Sequence, residues 1–330
     1  MKAPVVVLLG LVIVGAIGAI SADARRPVVP AIFVLGDSTL DVGNNNHLPG
    51  KDVPRANEPF YGIDFPGGAQ ATGRFSNGYN IADFIVRQLG FERSPLAYLV
   101  LKSRNYLNPS ALTRGVSYAS AGAGILDSTN AGKNIPLSKQ VSYFASTKAE
   151  MEATWGNHKV SKLLASSFFL LGFGSNDLFQ SRPNPGPVGC VPRVRLLNAT
   201  GSCNDGMNRL TMGLAAAFKS GLATTLNPTR LPGLTYSLAD SFAGTRANFD
   251  NPQAVGFVNT DSACCGSGRL GAEGECMRNA TLCSDRDVYA FFDNVHPSQR
   301  AAELGAQALF VDSPTQITAP INFKELAHQR

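Results

Sequence analysis

The sequence predicts a single α/β domain built on a mainly parallel sheet. Two uninterrupted apolar runs, Val28–Leu35 and Ser167–Phe173, each close on a glycine, as strands covered on both faces do. Stretches with apolar residues at helical spacing separate the runs. The 330 residues are 44% hydrophobic and 16% charged, which supplies a sizeable core and argues against disorder.

The elements follow in order. Val28–Leu35 is the first buried strand, stopped at Gly36. Asn77–Leu89 carries a helical pattern and ends at Gly90, a favoured C-terminal stop. Gly115–Ser120 reads as a short strand running into a Gly/Ala-rich turn. Lys139–Lys148 and Asn157–Leu164 read as helices, and Ser167–Phe173 as the next buried strand, closing on Gly174. Asp205–Leu226 is a long amphipathic helix halted by Asn227-Pro228. Leu234–Ala239 is a strand and Ala301–Phe310 a final helix. Buried strands alternating with helices imply parallel pairing, and such sheets bind ligands beyond the carboxyl ends of their strands. Those ends here carry Gly36-Asp37-Ser38, Ala119–Gly124 and Gly174–Asp177.

The N-terminus has its own signature. Lys2 precedes the apolar run Val5–Ile20, followed by Ala22-Asp23-Ala24. A charged start, a short apolar core and an A-x-A end describe a secretory signal peptide spanning residues 1–24, leaving 25–330 as one domain. No later stretch is apolar enough to span a bilayer, so no transmembrane anchor is expected after cleavage. The net charge of +5 is spread along the chain with no dense basic run, which argues against a nucleic-acid partner. The six cysteines all lie in the second half, and behind a leader they are expected to form disulfides. Zinc is disfavoured because no histidine stands at ligand spacing among them. Asn198-Ala-Thr and Asn279-Ala-Thr are glycosylation sequons in the same region.

Four short segments carry candidate chemistry. Ser38, just past a buried strand, can present both hydroxyl and N–H to one cleft, as an acyl-transfer nucleophile must. His296 has a carboxylate three residues upstream, Asp293, which one turn can bring against its imidazole. Asn176, after the second apolar run, can donate its amide to a developing oxyanion. The Ala119–Gly124 turn offers an unobstructed backbone N–H. Taken singly, each segment has an ordinary reading as a turn, a cap or close packing.

Together they resemble the plant GDSL esterase/lipase family of the SGNH hydrolase superfamily. The matching blocks run in order: FVLGDSTLDVGNNN (33–46), TGRFSNGYNIADF (72–84), GVSYASAGAGILD (115–127), GFGSNDL (172–178), GCVP (189–192), NPQAVGF (251–257), CCGSG (264–268) and FFDNVHPSQR (291–300). The resemblance covers nearly all of the chain behind the leader. It implies a three-layer α/β/α flavodoxin-like fold with Ser38 as nucleophile and Asp293 and His296 completing a triad. The oxyanion hole would comprise the Ser38 N–H, Gly124 (Gly122 as second choice) and Asn176. It implies no metal or cofactor. The partners would be small-molecule or lipid esters, either acyl lipids or acylated wall polysaccharides and secondary metabolites, met outside the cell or in the cell wall.

One departure stands out. Members of the family usually carry a longer segment, with helices and a further strand, between the positions of Asn176 and Cys190. Here only LFQSRPNPGPVG, residues 178–189, intervenes. The chain is therefore expected to lack one strand and its crossover. That leaves an alternative function to weigh: a shortened, catalytically weak or inactive relative acting as a binding or structural protein.

Overall fold

The computed structural model describes residues 26–104, 112–180, 189–226, 229–311 and 317–329. The leader read at Met1–Ala24 lies outside the described residues, as do positions 181–188 of the shortened segment and the Asn227-Pro228 stop.

The first half of the chain supplies β1 (Ile32–Gly36), α1 (Ile81–Gln88), α2 (Tyr98–Ser103), α3 (Leu137–Trp155), α4 (Asn157–Ala165), β2 (Phe168–Gly172) and α5 (Ser175–Gln180). The second half supplies α6 (Pro192–Arg195), α7 (Asp205–Thr225), β3 (Leu238–Ala239), α8 (Ser241–Asp250), β4 (Asn259–Ala263), β5 (Cys265–Gly266), β6 (Thr281–Leu282), β7 (Tyr289–Phe291), α9 (Gln299–Leu309), β8 (Thr318–Ala319) and α10 (Phe323–His328).

β1 and β2 pair in parallel, Ile32 opposite Phe168 through Gly36 opposite Gly172. The Gly115–Ser120 segment runs along the other edge of β1. It makes parallel bridges at Ser117 to Val34 and Ala97, and Tyr118 and Ser120 donate backbone N–H groups to the carbonyls of Val34 and Gly36. β1 is buried along its whole length, and its side chains alternate between two cores with the period of a strand. Ile32 and Val34 pack with Ile85 and Val86 of α1, Leu309 of α9 and Phe323 of α10. Phe33 and Leu35 pack with Leu101 of α2, Met151 of α3 and Val160 of α4. Helices therefore cover both faces of β1, which is why its sequence is apolar throughout rather than alternating.

α1 begins where Asn80 and Asp83 form a reciprocal capping box, a local signal that fixes its start at Ile81. Asp83 also receives a buried bidentate contact from Arg74, at 2.6 and 2.8 Å. The helix is thereby tied to the chain ahead of it.

One strand assignment and one helix assignment need correction. Leu234–Ala239 reduces to β3, two residues that pair antiparallel with β8 and do not join β1 and β2. Much of it is exposed, because no core cluster takes up its apolar side chains. The span Asp177–Leu234, in which the sequence suggests one helix, also contains α6, started by Pro192 at a first-turn position that tolerates the missing N–H.

Among the described residues no strand pairs with the outer edge of β2. Its alternate residues Phe169 and Leu171 are 38% and 59% exposed. On α7, Leu210, Met212, Phe218 and Leu222 are likewise exposed. The cysteines pair as Cys190–Cys203, Cys264–Cys283 and Cys265–Cys276, a single connectivity out of the many that six cysteines allow. None is left free. No helix of the described residues is long and apolar enough to cross a membrane.

Candidate active site

Ser38 sits one residue beyond the buried Asp37, at the carboxyl end of β1, and is itself half-buried. The turn that presents it is held from several sides. Asp37 donates its N–H to the Gly172 carbonyl, while Leu40 and Asp41 donate theirs to the Asp37 carbonyl. Gln140 of α3, fully buried, accepts from the Gly36 N–H through Oε1 and donates to the Gly36 carbonyl through Nε2, both at 2.9 Å. No described hydrogen bond engages the Ser38 hydroxyl or N–H, so both are available.

Asp41 organises the next loop. Its carboxylate accepts from the N–H groups of Gly43, Asn44, Asn45 and Ala121. Burial pushes its pKa up to about 6, against the pull of those donors. Asn44 donates its amide to the carbonyls of Ser117 and Ala119, and Asn45 to those of Pro54 and Ala121. The serine turn and the Ala119–Gly124 turn are thus bolted together by buried polar groups, all of them satisfied.

The Gly174–Asp177 turn closes on the same place. Asn176 donates its amide to the Ala123 carbonyl at 2.9 Å, which uses one of its two N–H groups. Asp177 accepts from the N–H groups of Ile125 and Leu126 and from the Thr129 hydroxyl. A side chain on Gly124 would collide with the Asp177 carboxylate, so the position admits only glycine without rearrangement. The N–H groups of Gly122 and Gly124 take part in no described hydrogen bond.

Asp293 and His296 follow β7, which is paired in parallel with β4. The N–H groups of Cys264 and Cys265 donate to the carbonyls of Phe291 and Phe292, and two disulfides anchor this stretch. The Asp293 Oδ1 accepts from the N–H groups of Val295 at 2.9 Å and His296 at 2.7 Å. The His296 Nδ1 lies 2.7 Å from Oδ2 and 3.0 Å from Oδ1. Burial alone would lower the His296 pKa, but the charge of Asp293, its hydrogen bond and the charge of Asp37 outweigh burial and raise it. Burial would raise Asp293, yet His296 and the backbone donors hold it below the ordinary carboxylate range. Asp37 is raised, first by burial, and it feels the charges of both His296 and Asp177. The imidazole and the residue preceding Ser38 are therefore within electrostatic reach of each other.

Several participants escape sequence reasoning. Tyr61, from a stretch outside every matched block, donates its hydroxyl to Asp293 Oδ2 at 2.8 Å. The ring of Phe75 lies 4.9 Å from that of His296. Gln140 sits in the helix whose apolar pattern gave no hint of a polar role. Only the run Asp41-Val-Gly-Asn-Asn-Asn, dense in residues that hydrogen-bond backbone, carried a signal. Among the described residues no cluster of His, Cys, Asp and Glu could hold a metal ion. Asn198 lies just past α6, where its side chain accepts from Thr200, and Asn279 is exposed.

The family model described as GDSL-like Lipase/Acylhydrolase matches residues 32–309, a span that contains every one of these groups. The Arabidopsis thaliana protein named GDSL esterase/lipase At5g55050 is 32% identical, the alignment covering 93% of this chain and 92% of that protein. GDSL esterase/lipase 7 of the same plant is also 32% identical, over 92% and 93% of the two chains. GDSL esterase/lipase At1g33811 is 30% identical over 97% of each. These alignments run to 357, 356 and 377 positions, more than the 330 residues present here, so the relatives carry segments that this chain lacks. With a family match over most of its length and relatives at this identity, the chain belongs to the GDSL-like lipase/acylhydrolase family, and with it to the carboxylic ester hydrolases.

Proposed function

We propose that this protein is a secreted serine ester hydrolase with a three-layer flavodoxin-like fold, working through Ser38, His296 and Asp293. The observation that carries the reading is the His296 imidazole, which meets the Asp293 carboxylate through Nδ1 and leaves Nε2 uncommitted within electrostatic reach of the Ser38 turn. Nε2 takes the Ser38 proton as Oγ attacks the ester carbonyl, and Asp293 stabilises the imidazolium that forms. The N–H groups of Ser38 and Gly124 and the second N–H of Asn176 receive the oxyanion of the tetrahedral intermediate. The imidazolium then protonates the departing alkoxide, leaving an acyl-serine. Water, deprotonated by the same imidazole, releases the acid and restores Ser38. The substrates proposed are acyl lipids or acylated wall polysaccharides and secondary metabolites, met extracellularly. Removal of the leader at residues 1–24 and glycans on Asn198 and Asn279 belong to the same proposal.

The test is incubation of the purified secreted protein with a fluorophosphonate, followed by peptide mass analysis, alongside hydrolysis of p-nitrophenyl esters of graded length. Adduct on Ser38 together with turnover supports the reading; turnover with Ser38 unlabelled removes it. A second reading, a weakly active relative serving as a binding protein, draws on the open edge of β2 and the longer relatives. Labelling of Ser38 without turnover of any ester would favour it.

The pH dependence has a definite sign. His296 must be neutral to accept the proton, and its pKa is raised, so kcat/KM should climb with pH and reach its midpoint above the ordinary histidine value of about 6.5. Below about 6, protonation of Asp41 removes the negative charge that strengthens four loop N–H bonds and should steepen the acid fall. A midpoint at or below 6.5 would contradict the Asp293–His296 coupling.

Asn176→Ala should lower kcat by roughly 100-fold with little change in KM, because an oxyanion donor acts on the transition state. A pure KM effect would make Asn176 a substrate-positioning group. A large fall in Tm with unchanged kcat would leave only its bond to Ala123.

A further inference from the structure

The Asp293 carboxylate has four lone-pair positions, and all four are used. Oδ1 takes the N–H groups of Val295 and His296. Oδ2 takes the His296 Nδ1 at 2.7 Å and the Tyr61 hydroxyl at 2.8 Å. Asp293 is only 3% exposed, so no water substitutes for a missing donor without rearrangement. Tyr61 reaches this point from 232 residues away along the chain. Its ring is itself fixed, edge-on to Phe75 at 5.9 Å and to Phe292 at 5.5 Å, in the cluster that contains the buried cysteines. Phe75 in turn lies against the imidazole.

We infer that Tyr61 is a positioning residue for catalysis: its hydroxyl clamps the Asp293 oxygen that holds His296, and so sets both the orientation and the basicity of the general base. The inference rests on the triad reading above.

The physical argument has two parts. A carboxylate held only at Oδ1 can swing about its Cβ–Cγ bond, and the Nδ1 contact swings with it. A second donor at Oδ2, the Tyr61 hydroxyl, restricts that freedom. The same donor draws negative charge away from Nδ1, so it moderates the stabilisation that Asp293 gives to the imidazolium. Tyr61 can serve at any working pH, since burial and the neighbouring Asp293 push its own ionisation well above the usual tyrosine range. The other charges that bear on the assembly are Asp37, which faces His296, and Glu275 and Glu58, which face Tyr61 more weakly than Asp293 does.

The test compares the full-length secreted protein with Tyr61→Phe, which keeps the ring and deletes the hydroxyl, and with 3-fluorotyrosine installed at position 61, a more acidic phenol and a stronger donor. The readouts are kcat and KM, the midpoint of the pH profile, and the titration of His296 followed by NMR. Tyr61→Phe should lower kcat about tenfold with KM unchanged, and should move the His296 titration upward by roughly half a unit or more. The fluorinated variant should move it downward. Titrations that coincide in all three proteins would overturn the inference and reduce Tyr61 to a packing residue. A change confined to KM would overturn it in favour of substrate contact. Should Tyr61→Phe fail to fold, the fluorinated protein alone still decides by the sign of its shift. Failure of the triad reading is separable, because it would appear as turnover surviving in Ser38→Ala. The His296 titration in that variant still reports whether Tyr61 acts through Asp293.

Discussion

Ser38→Ala should abolish ester hydrolysis, with kcat lower by roughly a million-fold, and leave the fold intact. The size follows from the proposed role: without Oγ there would be no acyl-enzyme, and His296 and Asp293 would have no nucleophile to activate. In triads the loss of the nucleophile alone costs about as much as the loss of all three members. What remains is the weak acceleration supplied by binding and the oxyanion donors. The stability forecast follows from the surroundings. No described hydrogen bond uses the Ser38 hydroxyl, and the turn is held instead through Gly36, Asp37 and Asp41. Removing one half-buried hydroxyl without a partner should therefore change stability by less than about 0.5 kcal/mol. Steady-state kinetics on the variant, with a thermal melt as control, checks both halves. A folded variant that retains a hundredth of parental turnover would rule out Ser38 as the nucleophile.

The parts of the fold that were legible in the sequence are those fixed by local pattern. β1 and β2 appear as apolar runs because helices cover both faces of β1. α1 shows through its apolar spacing and the stop at Gly90, and α9 as the final helical stretch, while the Asn80 and Ser298 caps that start them are seen in the structure. Leu234–Ala239 misled because an apolar run announces burial, not the partner that provides it. The described β3 pairs only with β8. The site divides along the same line. Ser38, Asn176 and His296 lie in turns whose composition signals them, and Asp293 is recoverable from its spacing to His296. Tyr61 and Gln140 are not recoverable in this way. Each acts across a long sequence separation through one hydrogen-bonding group, and nothing local distinguishes it from a core tyrosine or a surface glutamine.

The edge of β2 that is left unpaired among the described residues bears on stability. A missing neighbour strand costs about 1–3 kcal/mol for each backbone group that it leaves buried and unpaired. Phe169 and Leu171, whose N–H and C=O groups point along that edge, are well exposed, so water can take the place of the strand. The cost that remains is apolar side chain left in solvent here and on α7. Exposed apolar side chain of this kind favours association.

Asp293→Asn should lower kcat by about 10⁴-fold while the protein stays folded, and the reason lies in which end of the amide goes where. The N–H groups of Val295 and His296 both point at the Oδ1 position and demand an acceptor there. The amide must therefore place its oxygen at that position and its NH₂ where Oδ2 was, facing His296 Nδ1. An NH₂ in that place can only donate, so Nδ1 must give up its proton and Nε2 must carry it. Nε2 is then a donor, and it cannot accept the proton of Ser38. The Tyr61 oxygen can accept from the other N–H of the same amide, which keeps the buried cluster satisfied and the fold in place. Loss of the negative charge also removes the main influence that raises the His296 pKa, so burial prevails and the midpoint of whatever activity remains should fall. Kinetics as a function of pH, with the imidazole tautomer read by ¹⁵N NMR, separates these effects. A folded Asp293→Asn protein within tenfold of parental kcat, with the Nδ1–H tautomer retained, would show that His296 does not depend on Asp293 for its orientation.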